Sequence, residues 1–274
     1  MIENRIINGS NINGSNSNGL NSNEKFKIVN GEPIPNKLRN KFNFLASIVV
    51  KNKNHPFCGG AYIGKNVVLT AAHCVNKVSK NKIQIMFNKK YSYSNDIRFN
   101  VNKIIIHPNY NSINADNDIA LIFLNDEPWK KGINPLYLPS YKLQRNIYKY
   151  KRPGLIMGFG SQSEGQGNSI TLQYAKIKMM KLNQTKINKN FITKNMIIMG
   201  DYQDIDNPYD NIDTCFGDSG TSVFGRYGEG RKAVSIGITS WGIGCGLDGY
   251  PGVYAKTGNY IRWIYNLTKI KSIN

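Results

Sequence analysis

Short apolar runs, rich in β-branched and aromatic residues and bounded by Gly, Asn or Lys, recur at 46–50, 67–70, 83–87, 101–106, 119–124, 155–159, 233–239 and 253–255. Runs of this length and composition predict strands. Many such strands separated by turn residues predict an all-β barrel or sandwich. The pattern changes near residue 257. From there Tyr260, Ile261, Trp263, Ile264, Leu267 and Ile270 recur at helical spacing, which predicts a C-terminal α-helix over about 257–270. No apolar run reaches about eighteen residues, so no membrane-spanning helix is predicted.

Composition changes this picture at one end. Residues 1–24 are nearly all Asn, Ser, Gly and Ile. They offer too little apolar surface to offset chain entropy, which predicts a disordered leader over 1–27. The leader has no apolar core of secretory type. Removal of a signal before residue 1, unconventional export and no export all stay open. The chain of 274 residues carries a net charge of +19, mostly from lysine. Such a charge suits polyanions or anionic surfaces. The lysines are scattered, however, with no arginine-rich stripe and no nucleic-acid motif. A solvated surface from a composition biased to Asn, Lys and Ile is one reading, and weak polyanion binding as a secondary property is the other.

Chemistry enters with three stretches. Asp213-Thr214-Cys215-Phe216-Gly217-Asp218-Ser219-Gly220 sets a serine in a glycine-rich turn. Upstream are Thr70-Ala71-Ala72-His73-Cys74 and Asp116-Asn117-Asp118-Ile119-Ala120-Leu121. A serine hydroxyl is a weak nucleophile and needs a base to take its proton. Imidazole does this near neutral pH. A carboxylate behind the imidazole holds its tautomer and stabilises the imidazolium. Of the three histidines, His55 and His107 each precede a proline and read as loop residues, which leaves His73. Asp116 competes with Asp118 for the carboxylate role, and the flank Asp-Ile-Ala-Leu, opening an apolar strand, favours Asp118.

These motifs resemble the trypsin-like serine proteases of the chymotrypsin family. The resemblance runs from about residue 28 to the C-terminus. It rests also on Ile28-Val29-Asn30-Gly31, Cys58-Gly59-Gly60, His107-Pro108-Asn109-Tyr110, Ser240-Trp241-Gly242 and Pro251-Gly252-Val253-Tyr254. The chain order His, Asp, Ser fits the same family. The resemblance implies two six-stranded antiparallel β-barrels, about 28–145 and 146–256, with the active site between them. The apolar stripe of the terminal helix itself reads as a face packed on the second barrel, with a partner-binding helix as the alternative.

It also implies roles. Ser219 becomes the nucleophile, His73 the general base and then acid, and Asp118 the orienting carboxylate. The backbone N–H groups of Gly217 and Ser219 form the oxyanion hole. Asp213 floors the substrate pocket, with Ser240, Trp241, Gly242 and Gly252 along its walls, which implies cleavage after Arg or Lys. Cys58 pairs with Cys74 and Cys215 with Cys245. Cleavage after Lys27 frees the Ile28 amine to pair with Asp218, so the uncut chain is a zymogen. No cofactor or metal is expected: the Asp-rich stretch at 201–213 lacks the calcium-loop spacing, and 88–93 is basic. Protein substrates and protein protease inhibitors are the expected partners, and disulfides point to a secreted protein. A noncatalytic binding protein on the same fold, using its basic surface, is the alternative from another functional class.

Overall fold

The computed structural model describes residues 32–34, 41–88, 96–158, 172–200, 218–227, 229–244 and 246–274. The leader lies outside them, as do Lys27, Ile28, Asp213, Cys215, Gly217 and Cys245.

The first barrel contains β2 (Leu45–Val50), β3 (Pro56–Gly64), β4 (Val67–Thr70), β5 (Ile83–Asn88), β6 (Asp96–Ile106) and β7 (Ala120–Leu124). They close in the order β2-β3-β4-β7-β6-β5, every pair antiparallel. Its interior is Ile48, Leu69, Ile85, Leu121 and the edge-to-face rings of Tyr62, Phe87 and Phe99. The second barrel contains β8 (Gly154–Gly158), β9 (Gln173–Met179), β10 (Met196–Gly200), β11 (Ser222–Tyr227), β12 (Lys232–Trp241) and β13 (Gly252–Lys256). It runs β8-β9-β10-β13-β12-β11 and closes through β11 on β8. A short strand, β1 (Glu32–Pro33), adds to the edge of β9, so chain leading into the first barrel is tied to the second.

One hydrophobic cluster spans both barrels. Phe42 and Phe44 enter from the segment before β2 and meet Phe224 of β11, with ring centroids 5.0 and 4.9 Å apart. Aromatic burial of this kind dominates core energetics. It fixes the barrels against each other, which a site assembled from both requires.

Among the described residues lie three α-helices, α1 (Ala72–Val75), α2 (Tyr141–Lys149) and α3 (Ile261–Thr268). The first is a single turn. Sequence pattern missed α2, whose buried side chains are only Gln144 and Ile147; Ser140 caps it by accepting the Leu143 N–H at 3.2 Å. The terminal helix is shorter than its periodicity predicts, because residues 257–260 form a 3-10 turn first. Its packing also corrects the expectation that it would sit on the second barrel. Tyr260 and Trp263 meet the His107 ring beyond β6 of the first barrel, and Lys65 of the β3–β4 turn donates to the Thr268 carbonyl at 2.6 Å. The helix follows the second barrel in sequence but straps the first.

Candidate active site

The single turn α1 is built from small residues for a reason of space. Ala71 and Ala72 are fully buried at the end of β4. Opposite them Gly220 has φ +81°, and a Cβ there would run into Thr70 Oγ1 and the Gly59 carbonyl. Only glycine lets the 218–221 turn come this close. Gly59 N–H then donates to the Ser219 carbonyl at 2.7 Å, and Gly220 N–H to the Thr239 carbonyl at 2.9 Å. Thr221 Oγ1 donates to the Asp218 carbonyl at 2.7 Å. The turn carrying Ser219 is thus pinned to a strand of each barrel.

His73 sits in α1, braced by the Cys58–Cys74 disulfide. That bridge closes a loop of sequence separation 16, worth about 3 kcal/mol by loop-closure entropy. Asp118 reaches His73 twice. Its Oδ1 accepts the His73 backbone N–H at 2.9 Å, and its Oδ2 meets Nδ1 at 2.7 Å. A carboxylate only accepts, so the proton between them belongs to Nδ1, and Nε2 is the basic edge. A third donor, the Ser240 hydroxyl, reaches Oδ2 at 2.6 Å. Asp118 is 1% exposed, while the His73 side chain is 32% exposed. Burial of the carboxylate is offset by three hydrogen bonds to its charged form.

The competing aspartate turns elsewhere. Asp116 Oδ1 accepts from Thr193 Oγ1 at 2.6 Å and from Asn195 Nδ2 at 3.0 Å, both on the second barrel. It therefore ties the loop before β7 to the segment before β10. Ala115 and Asn117 both have φ near +55° in this loop, a turn that sends neighbouring carboxylates in opposite directions. Behind it, burial lowers the His107 pKa, against a smaller raising effect of Asp116. Burial raises that of Tyr260, aided by the Asp116 and Asp118 charges.

Asp218 is fully buried, and Gly158 at the end of β8 lies against it. A Cβ at 158 would overlap the Asp218 carboxylate. Gly158→Ala is therefore expected to displace Asp218 and disturb the serine turn, at about 2 kcal/mol, the usual cost of overpacking. Active-site titration with an acylating reagent measures this. The fraction of titratable sites should fall tenfold or more; an undiminished fraction would show that Asp218 has room to move.

Ser240, Trp241 and Gly242 lie at the end of β12, beside Gly252 at the start of β13, where Trp241 pairs with Val253. A Cβ at Gly242 would meet only the Gly244 carbonyl, at 3.7 Å, so the strand ends border open space there. Sequence reasoning placed Ser240 along the substrate wall and missed its hydroxyl on Asp118. The available signal was the carboxylate itself: buried, it demands more donors than one imidazole offers. The Gly59 anchor on Ser219 and the Gly158 seat were also missed. Cys58, His73 and Cys74 bring donor atoms within 4.8 Å of one another, but the sulfurs are bonded to each other and supply no thiolate for a metal.

Comparison with known proteins adds to this geometry. A family model described as Trypsin matches residues 28–264. Trypsin II-P29 of Gallus gallus is 36% identical over 219 residues, covering 78% of this chain and 80% of that protein. Trypsin Blo t 3 of Blomia tropicalis is 34% identical over 218 residues, covering 76% of each. Vitamin K-dependent protein C of Mus musculus is 30% identical over 241 residues, or 83% of this chain; the chain spans 50% of that protein's length.

Proposed function

This chain belongs to the trypsin family of serine endopeptidases, and we propose that it cleaves polypeptides after Arg or Lys through an acyl-enzyme formed on Ser219. The observation that carries the reading is the buried Asp118 holding the His73 Nδ1–H, with the turn of Ser219 packed through Gly220 against Thr70 and Ala71 just before the helix of His73. In this reading Nε2 takes the Ser219 proton as Oγ attacks the scissile carbonyl. The Gly217 and Ser219 N–H groups receive the oxyanion, a contribution of about 3 kcal/mol. Nε2 then returns the proton to the leaving amine, and water repeats the cycle on the ester.

Asp213 supplies the charge preference, facing a guanidinium or ammonium at the pocket floor, with Gly242 and Gly252 leaving the walls open. The chain is made as a zymogen. Cleavage after Lys27 frees the Ile28 ammonium to pair with Asp218, whose complete burial provides a low-dielectric setting in which such a charge pair is strong. Because the activating cut follows lysine, the enzyme can activate itself. The Cys58–Cys74 bridge and the relatives favour an extracellular working compartment, where disulfides persist.

The test is hydrolysis of chromogenic peptides ending in Arg, Lys or Phe, before and after limited trypsin treatment, with the new N-terminus sequenced. Arg and Lys turnover that emerges with an N-terminus at Ile28 supports pocket, triad and zymogen together. Turnover confined to the Phe substrate would refute the pocket assignment. Asp213→Ser is expected to lower kcat/KM for the Arg substrate about a hundredfold, as loss of one buried charge partner costs about 3 kcal/mol. The Phe substrate should change little, and equal loss on both would remove Asp213 from the pocket floor.

A further inference from the structure

One cavity bounded by described residues lies away from the triad. It has a volume of about 960 Å³ and lies where α2, the 3-10 turn before α3, α3 and the last residues of the chain converge. Its lining mixes three kinds of surface. Gln144, Asn195 and Asn259 offer amides; Tyr141, Tyr265 and Ile270 offer apolar area; Arg262 and Lys271 offer charge.

The amides form a connected floor. Gln144 Nε2 donates to Asn259 Oδ1 at 3.2 Å, Asn259 Nδ2 to Asn195 Oδ1 at 3.1 Å, and Asn195 Nδ2 to Asp116 Oδ1 at 3.0 Å. The floor is thus held in place before any ligand arrives, which lowers the ordering cost of binding. It ends at the loop that carries Asp118.

The side chains of the rim are charged in one sense only. No Asp or Glu occurs between residues 128 and 158 or between 249 and 274, the two stretches that supply nearly all of the lining. They contain Lys142, Arg145, Lys149, Arg262, Lys269 and Lys271. Arg145 lies over the Tyr141 ring at 5.9 Å and Lys269 over the Tyr265 ring at 5.3 Å, so both rings of the lining carry a cation. Among the described residues, the ion pairs of lysine or arginine with carboxylates are at Glu127 and Asp248, away from this rim. The scattered lysines of the linear sequence become a one-signed surface here because two acid-free segments fold side by side.

We propose that this cavity is a docking site for an acidic segment of a polypeptide, through which the enzyme selects protein substrates. The substrate part of this statement rests on the protease reading above; the binding part does not. Carboxylates on the segment meet Arg262 and Lys271, with Arg145 and Lys269 adding long-range attraction. Its backbone meets the amide floor, and its apolar side chains meet the tyrosines and Ile270. Apolar lining beside amides matches a polypeptide better than a sulfated glycan or nucleic-acid backbone, which presents charge without aliphatic surface. None of the lining residues belongs to the triad, so a small amide substrate does not use the site.

The probe is a fluorescein-labelled synthetic peptide of alternating Glu and Leu, titrated by anisotropy against the full chain carrying Ser219→Ala. Saturable binding is expected, with Kd at least tenfold higher in Arg262→Ala/Lys271→Ala and a steep weakening as salt rises. The same peptide with Gln for Glu should bind at least tenfold more weakly. Tyr141→Ser, a change at an exposed ring on the cavity wall, should weaken binding without touching charge. In the Ser219-containing enzyme, the paired cation variant should keep small-amide turnover within twofold while losing rate on a protein that bears an acidic segment. No peptide binding, or binding indifferent to both the cation pair and Tyr141, overturns the proposal. So does binding of a sulfated oligosaccharide through Arg262 and Lys271 without binding of the peptide. Because anisotropy needs no turnover, an inactive enzyme that still binds the peptide would sink the protease reading and leave the site standing.

Discussion

Ser219→Ala is expected to lower kcat about a million-fold on an arginyl amide substrate while leaving KM close to its original value. The size follows from what the hydroxyl does in the proposed mechanism. Without it no acyl-enzyme forms, and the remaining acceleration comes only from the oxyanion donors and substrate binding. The position is well suited to a clean measurement. The Ser219 backbone is held by the Gly59 N–H and the turn by Thr239 and Thr221, none of which involves Oγ. Alanine therefore removes one atom from a turn that keeps its shape. Initial rates over long incubation, with the protein repurified to exclude trace protease, give kcat and KM separately. Retention of even a hundredth of the rate would mean that another group is the nucleophile.

The next largest effect belongs to Asp118→Asn, expected to lower kcat about ten-thousandfold near neutral pH with little change in KM. The amide is nearly isosteric, so the loss is a matter of protons. Asp118 receives three donors: the His73 backbone N–H, the His73 Nδ1–H and the Ser240 hydroxyl. Asparagine has one accepting oxygen and must turn its NH₂ toward some of them. A backbone N–H cannot change its role, whereas an imidazole can move its proton to the other nitrogen. The cheaper arrangement sets the amide oxygen on the His73 backbone and the NH₂ on Nδ1. The imidazole proton then moves to Nε2, and the edge facing substrate is no longer a base. Thermal unfolding measured beside kcat separates this from loss of fold. A stable variant with full activity would show that His73 needs no carboxylate behind it. A parallel loss in Asp116→Asn would contradict the geometry, which sends Asp116 to Thr193 and Asn195 instead.

The chain by itself determined the strands whose residues are apolar and β-branched without interruption. Val67–Thr70 and Ala120–Leu124 are examples, because their propensity and burial agree over a few neighbouring residues. It determined the family as well, since each proposed catalytic side chain lies in a flank only a few residues long. Strands carrying Gly or Cys, such as Pro56–Gly64, escaped the pattern because close packing rather than propensity makes them strands. So did α2, whose apolar face is narrow. Tertiary structure decided the rest. It put Asp118 and not Asp116 on His73, set Ser240 on a carboxylate 122 residues away, and laid the terminal helix on the first barrel. It also gathered two acid-free segments around one cavity. These outcomes depend on how two closed barrels meet. Contacts across that junction are fixed by shape and by the satisfaction of buried polar groups, and neither leaves a periodic trace in a linear chain.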